Sequence, residues 1–326
     1  MTIVFATNDG SDFPGAGVST NAAHFRAAYV SRSFITDSNN TASTITAITT
    51  IPPVAGDITW IHFQYRKERD FSGNSSDGFA VMELYSGSGT KILDFDLNNG
   101  LVRLRLFGSS TLTINIIGNM VGTNVYSVDI KIDLTSDISV KMYINGGLVY
   151  DRSQAWSSSP GNPALIFWSI FQVSDFGGTA QYVSELIIAD EPTIHMGISE
   201  LTPNATGNYS EWLGDHAATG DNDLGTGASS KVVADKLSSV LTSFSGPASP
   251  AIRAVLVNTK ASTRGGTVND LRNFLRISAT DYNGAAMGVG EGIENHVTMW
   301  NTNPDTTDDW NTADFAGTEL GVESLA

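Results

Sequence analysis

The sequence has no cysteine among its 326 residues, and this absence excludes several classes of chemistry. Disulfide bonds, thiolate nucleophiles and cysteine-ligated zinc or iron–sulfur sites all need a thiol. There is also no run of 18 apolar residues, so the sequence predicts no membrane insertion. The first six residues, Met1 to Ala6, carry no basic group and are typical of a strand rather than a signal peptide.

Basic residues are scarce, because 18 Lys and Arg stand against 34 Asp and Glu, a net charge of −16. Nucleic-acid binding depends on clustered Lys and Arg, so this balance argues against a DNA or RNA partner. No Lys or Arg follows Arg276, whereas nine acids do. We interpret that acidic stretch as a solvated face; a docking surface for a basic partner or a divalent cation site are the alternatives.

Alternation of apolar and polar residues is the dominant pattern and predicts half-buried antiparallel strands. It occurs over five segments, 91–97, 101–107, 111–116, 125–134 and 139–144. In the first of these, Leu93 and Phe95 are expected to face a core, while Asp94 and Asp96 form a polar outer face. The triplets Asn98-Asn99-Gly100 and Asn145-Gly146-Gly147 predict tight hairpins, because both supply residues that tolerate positive φ.

The remaining segments complete an all-β prediction of two antiparallel β-sandwich domains, 1–195 and 196–326. The apolar run 164–171 predicts a strand buried on both sides, and 182–189 predicts another that ends shortly before Pro192. In the second domain, 251–258 and 271–277 are predicted strands. The Gly-, Asp- and Asn-rich stretch 207–227 predicts a long loop. Residues 233–244 have helical spacing but many Ser and Thr, and we favour a strand over 241–244.

The stretch from Asp129 to Tyr150 has a strand, a short acidic turn and a strand that ends in the hairpin Tyr143-Ile144-Asn145-Gly146. With Asp77-Gly78-Phe79-Ala80 and the segment 183–188, it resembles the concanavalin A-like lectin and glucanase superfamily. The resemblance covers about residues 1–195 and implies a jelly-roll domain. It implies little about function, because this fold hosts many activities.

The C-terminal part of the sequence resembles structural proteins of tailed bacteriophages and related prophages. The matching fragments follow one another in order, at 184–193, 206–215, 280–284, 300–305, 310–311 and 319–323. Members of that group join a jelly-roll domain to a smaller β-domain. The resemblance implies a virion component and nothing catalytic.

Candidate site residues are few. Asp94 and Asp96 lie two apart on one strand, so they could form a carboxylate pair, or bind Ca²⁺ together with Asp77. The Glu-x-Asp-x-x-Glu pattern of the superfamily's glucanases is absent. We therefore predict no catalytic residue and no cofactor, with Ca²⁺ left open. The large aromatics of the second domain are expected to pin loops, with a sugar-stacking platform as the alternative: Tyr209, Trp212, Tyr282, Trp300 and Trp310.

Histidine and glycine motifs add no catalytic prediction. No two of His24, His62, His195, His216 and His296 have metal-ligand spacing. Gly214-Asp215-His216 resembles a hydrolase dyad without a nucleophile elbow, although a triad from distant residues stays open. The series Gly288, Gly290 and Gly292 lacks the strand and helix of a phosphate loop.

These observations predict a non-enzymatic virion structural protein on the exterior of a tailed phage, in a head decoration, fibre or tail position. Its expected partners are other virion proteins, further copies of itself and a bacterial surface glycan. We expect assembly in the host cytoplasm, and a homo-oligomer because virion exteriors are symmetric. The alternatives are a carbohydrate-binding attachment protein of the tail and a polysaccharide-degrading enzyme.

Overall fold

The described part of the protein, a computed structural model, includes most of the chain. It comprises residues 1–7, 17–19, 33–36, 45–50, 54, 56–67, 79–98, 101–107, 111–119, 124–156, 161–170, 181–220, 226–244, 250–263 and 267–326. The chain divides into two compact units, unit 1 from Met1 to Ile198 and unit 2 from Ser199 to Ala326.

Unit 1 consists of two antiparallel sheets. Its strands are β1 (Ile3–Thr7), β2 (Gly17–Ser19), β3 (Ser33–Thr36), β4 (Ile45–Thr50), β5 (Ile58–Lys67), β6 (Phe79–Ser86), β7 (Lys91–Asn98), β8 (Leu101–Phe107), β9 (Thr111–Asn119), β10 (Tyr126–Asp133), β11 (Ile138–Ile144), β12 (Gly147–Gln154), β13 (Pro163–Ile170) and β14 (Gln181–Ala189). One sheet has the order β12-β11-β10-β5-β14-β3-β2, with β1 also paired to β14, and the other β4-β13-β6-β7-β8-β9. This architecture confirms the predicted jelly-roll β-sandwich.

The core of unit 1 lies between the inward faces of the two sheets. Phe63 and Tyr65 of β5 contact Phe95 of β7 edge to face, with ring centroids 6.0 and 6.2 Å apart. Leu84 and Leu104 fill the same layer together with buried apolar residues of β10 and β11: Val128, Ile130, Ile132, Ile138, Val140 and Met142. The alternation in the sequence therefore identifies the core side of these strands correctly.

The hairpin between β11 and β12 has the turn that the sequence predicts. Asn145 and Gly146 both have positive φ, 51° and 79°. Such a pair matches the twist of two adjacent strands, which is why Asn-Gly is favoured there. The equivalent prediction at Asn99 and Gly100 lies outside the described residues, as do those that concern His24, Asp77 and Gly78.

Unit 2 is a smaller β-sandwich. Its strands are β15 (Pro203–Ser210), β16 (Lys236–Leu241), β17 (Val255–Ala261), β18 (Asp270–Ile277), β19 (Thr280–Asn283), β20 (Met287–Gly288), β21 (Glu294–Trp300) and β22 (Glu319–Leu325), with a short helix α1 (His216–Gly220) and a 3-10 turn at Thr312–Phe315. The sheet order is β15-β16-β22-β18-β19, with β20 on β18, and β17 pairs with β21. Val257, Leu275, Ile277 and Trp310 form a small core.

Two predictions for unit 2 are wrong in their limits. The predicted loop 207–227 begins inside strand β15 and contains helix α1, because Thr206 and Ala205 pair with β16 despite a Gly- and Asn-rich sequence. In the ambiguous segment 233–244 the sequence favours a strand over 241–244, but the strand runs from Lys236 to Leu241, and residues 242–244 lie outside it. Pairing with β22 makes the segment from Lys236 a strand, because contacts with a neighbouring strand override the local propensity.

The structure has no long helix in its described residues. Helix α1 has five residues, and none of the described helices is long and apolar enough to cross a membrane.

Candidate functional site

A charged face lies on the outer side of the six-stranded sheet of unit 1. Strands β6, β7 and β8 are neighbours, and their register sets Asp94 beside Glu83 on one side and Arg105 on the other. Alternate residues point away from the core, so acidic, basic and aromatic side chains share one surface. We define the charged face by its members: Glu83, Tyr85, Lys91, Asp94, Asp96, Arg103, Arg105 and Phe107.

The structure corrects the predicted exposure of two residues of this face, Asp94 and Asp96. The alternation predicts Asp94 and Asp96 on a wet outer face, but both are fully buried. The physical reason lies in the next strand, because Arg103 and Arg105 stand directly opposite and lie over the shorter carboxylates. Long basic side chains can cover a sheet surface in this way while their heads stay in water.

Ion pairs hold the two arginines. Arg105 Nε lies 2.7 Å from Asp94 Oδ1 and 3.1 Å from Asp96 Oδ2. Arg103 binds Asp96 with two nitrogens, Nε to Oδ1 at 2.6 Å and Nη2 to Oδ2 at 3.0 Å. Charge-assisted and bidentate contacts of this kind fix the direction of a guanidinium group as well as its position.

Lys91 joins these ion pairs to the aromatic side chains. Its Nζ donates to Glu83 and lies 3.8 Å from Asp94 Oδ2. It also lies 5.4 Å from the ring centroid of Tyr85 and 5.1 Å from that of Phe107. The Tyr85 hydroxyl donates to Glu83 Oε2 at 2.9 Å. Within the described residues, Asp94 Oδ2 accepts no hydrogen bond.

Burial and charge shift the protonation of three groups here. Burial raises the pKa of Asp94, and Arg105 and Lys91 offset part of that effect. Burial also raises the pKa of Tyr85, and its hydrogen bond to Glu83 acts in the same direction. For Lys91, burial lowers the pKa, but the contact with Glu83 outweighs it and the net shift is upward. Tyr85 and Lys91 are therefore both protonated at neutral pH.

The proposed calcium ligands are not arranged as a metal site in the described chain. Asp94 and Asp96 are directed at arginines, and Asp77 lies outside the described residues. Among the residues with described positions, no three His, Cys, Asp or Glu side chains are grouped to hold a metal ion. The absence of a cofactor stays a prediction.

A second polar cluster lies on the sheet of unit 2. The Asp281 carboxylate accepts from Tyr209 Oη and Lys236 Nζ, both at 2.8 Å, and from Arg276. Lys236 and Arg276 stand 4.9 and 5.0 Å from the Tyr209 ring centroid. Phe274 is fully buried beside them. The donors and acceptors of this polar cluster bind one another, which is typical of a structural network.

The aromatics of unit 2 do not form one stacking platform. Trp310 is buried in the core and donates from its indole to Trp300 O at 3.0 Å. The Trp212 indole donates to Asp235 O at 3.1 Å, which ties its loop to β16. Tyr282 donates to Asp305, and Tyr209 belongs to the Asp281 network. Their contacts fit the expected role as anchors.

A buried histidine network in unit 1 was not predicted from the sequence. His62 Nδ1 and Thr193 Oγ1 both lie 2.8 Å from Asp129 Oδ1, and all three residues are fully buried. His62 and Asp129 are cross-strand partners on β5 and β10. The threonine binds the aspartate rather than the imidazole, so this is no nucleophile–base pair. The sequence signal is limited to His62 and Asp129, which occupy polar positions of β5 and β10, whereas Thr193 follows β14 and lies in no strand.

The other predicted motifs have structural roles. Asp215 Oδ1 accepts from the backbone of Ala217 and Ala218, so the Asp-His pair caps helix α1. His216 Nδ1 lies 3.1 Å from Thr206 Oγ1. His296 is buried, and burial lowers its pKa. The Gly290 amide donates to Glu294 Oε2 at 3.3 Å, so a carboxylate of the same segment accepts from it.

Comparison with known proteins gives likenesses of fold only. No family model and no curated protein matches the sequence. An endo-β-1,4-glucuronan lyase from Trichoderma reesei is similar at 10% identity with a TM-score of 0.45, over 58% of this chain and 96% of that one. The binding domain of Paraclostridial Mosquitocidal Protein 1 matches at 13% identity and 0.43, over 58% and 49%. A botulinum neurotoxin serotype D ligand-binding domain, solved with N-acetylneuraminic acid, matches at 10% and 0.42, over 90% and 79%.

Proposed function

We propose that unit 1 binds a glycan through the charged face of its six-stranded sheet. The observation that carries this proposal is the combination of side chains on that face. Lys91, Arg103 and Arg105 supply hydrogen-bond donors, and Tyr85 and Phe107 supply ring surfaces on which a sugar can pack. The ion pairs hold these groups in place before a ligand arrives, which lowers the entropic cost of binding.

Binding without catalysis is supported by the state of the acidic groups. Hydrolysis needs one carboxyl group to protonate the glycosidic oxygen and a second on the other side of the bond. Asp94 and Asp96 are both fully buried beneath arginines, so neither reaches a bound sugar. The Tyr85 hydroxyl donates to Glu83 and has a raised pKa, so it is a poor base. We expect no release of reducing ends from host polysaccharide over time.

We further propose that the protein is a virion structural component of a tailed phage, displayed on the particle exterior. This proposal is supported by the ordered C-terminal fragments in the sequence. Its partners would be other virion proteins and further copies of this chain, and the glycan would be one on the host surface. Mass spectrometry of purified particles tests it, because the chain must then be present at a copy number set by particle symmetry.

A glycan array with the full chain tests the binding proposal. We expect retention of bacterial surface polysaccharides by the wild type and a clear loss with Phe107→Ala, which removes a ring from the charged face. Tyr143→Ala is the control, because Tyr143 stacks on Trp60 in the other sheet at 5.8 Å. No retained glycan, or equal loss in both variants at equal thermal stability, would contradict the proposed site.

A further inference from the structure

The charged face offers a ligand more donors than acceptors. Asp94 and Asp96 have no exposed surface, whereas the side chains of Arg103, Lys91 and Arg105 are 17%, 24% and 31% exposed. The third acid, Glu83, is 22% exposed, but its carboxylate already accepts from Lys91 and Tyr85. A ligand that approaches this face therefore meets three cations and a single carboxylate that is already paired.

Toward the described side chains, the two arginines use only some of their donors. A guanidinium group carries five N–H groups, and Arg105 uses only its Nε toward the two aspartates. Arg103 uses Nε and Nη2 toward Asp96. In the part of the chain that the structure describes, the two Nη groups of Arg105 have no hydrogen-bond partner. These N–H groups lie in one fixed plane, and this arrangement suits a planar acceptor.

From this geometry we infer that the glycan bound by the charged face is acidic, with a sugar carboxylate, as in a uronic acid, on Arg105 and Arg103. The inference rests on the proposed function and names its ligand class. A carboxylate is planar and accepts two parallel N–H bonds from a guanidinium group, which a hydroxyl cannot do. The sugar ring of the same residue lies within reach of Phe107 and Lys91.

The net charge of −16 opposes the binding of an acidic glycan, because an acidic polymer is repelled by the chain as a whole. At physiological salt, however, charges beyond about 8 Å are largely screened, while direct contacts with the half-buried Arg105 are screened less. The recognition must therefore be local, and it should weaken when salt competes at the arginines. This gives a readout that a merely structural arginine would not produce.

Isothermal titration of the full chain with an alginate oligosaccharide, and with the same oligosaccharide after carboxyl reduction, tests the ligand class. We expect the acidic form to bind and the reduced form to bind at least about tenfold more weakly, since charged hydrogen bonds are lost. Above physiological salt, where the long-range repulsion is already screened, binding of the acidic form should also fall as NaCl is raised. Equal binding of the two forms would overturn the inference and leave the glycan proposal standing.

Arg105→Lys tests the residue, because it keeps the charge and the pairing with Asp94 but removes the planar fork. Arg272→Lys is the matched control, since Arg272 Nε binds Glu323 at 2.6 Å with 29% of its side chain exposed. We expect Arg105→Lys to bind the acidic oligosaccharide about tenfold more weakly than the wild type. We expect Arg272→Lys to bind it with the affinity of the wild type. Equal affinity of Arg105→Lys and wild type would overturn the assignment. If neither alginate nor any arrayed glycan binds, the proposed function itself fails.

Discussion

At the scale of single residues, the chain places its acids where cations hold them. Asp96 and Asp281 each contact two basic side chains, and Asp94 accepts from Arg105 of the neighbouring strand. A chain with few charges therefore concentrates them in buried or half-buried networks. Removal of one partner from such a network leaves an unpaired polar group, which is where the largest energetic cost arises.

Asp281→Asn should destabilise the protein at neutral pH by about 1–2 kcal/mol, because it weakens hydrogen bonds from charged Lys236 and Arg276. Burial acts to raise the pKa of Asp281, but the hydrogen bonds from Lys236, Arg276 and Tyr209 outweigh it and the pKa is lowered. A lowered folded-state pKa means that the stabilisation is present above the ordinary carboxyl pKa of about 4 and is lost as pH falls through the folded value.

Urea unfolding of wild type and Asp281→Asn at pH 7 and at acidic pH checks this expectation. The difference between them should shrink at acidic pH, where Asp281 of the wild type is protonated. Asp309→Asn is the control, since Asp309 is 80% exposed and lies 3.9 Å from Arg253. A difference that is independent of pH would show that the Asp281 charge contributes nothing.

At the scale of elements, hairpin geometry is set by particular turn residues. The β11–β12 turn needs positive φ at Asn145 and Gly146, and it also lies against His195. A Cβ on Gly146 would stand 2.3 Å from His195 Cε1. The segment after β14 therefore constrains the turn from outside, in addition to the twist of the two strands.

Gly146→Ala should lower the free energy of unfolding by roughly 1–2 kcal/mol from the left-handed φ alone, with a further loss from the contact. Gly147→Ala is the matched control, because its added Cβ would meet only Ile144 O at an ordinary 3.5 Å. Thermal unfolding of both, and of Gly146→Ala in a His195→Ala background, separates the two effects. Equal stability of the two alanine variants would contradict the role of the turn.

At the scale of the whole molecule, the charge of −16 and the β-rich architecture bear on the particle proposal. An acidic protein attaches best to a neutral or basic surface, so its anchor on the virion should have that character. Charge reversal of the anchor should then lower the occupancy measured by mass spectrometry of purified particles. Absence of the chain from particles would contradict the proposal, and unchanged occupancy would refute the electrostatic part alone.

Much of the architecture follows from the sequence because the relevant patterns are local. Alternation with a period of two predicts strands β7 to β11 and the described core residues of β7, β8, β10 and β11, and the pair Asn145 and Gly146 predicts a hairpin. Strand β15 was missed because its Gly- and Asn-rich sequence has no such pattern. Its pairing with β16, some 30 residues along the chain, provides the stabilisation that propensity does not.

The charged face shows the same division. The sequence by itself determined that Asp94 and Asp96 share one side of a strand, because side-chain direction alternates along the backbone. Only the tertiary structure decided that they are buried, since this depends on the register that sets Arg105 and Arg103 opposite them. Thr193 lies 64 positions from Asp129, to which it donates, and Tyr209 lies 72 positions from Asp281. Such contacts are fixed by sheet order and packing, which no local period encodes.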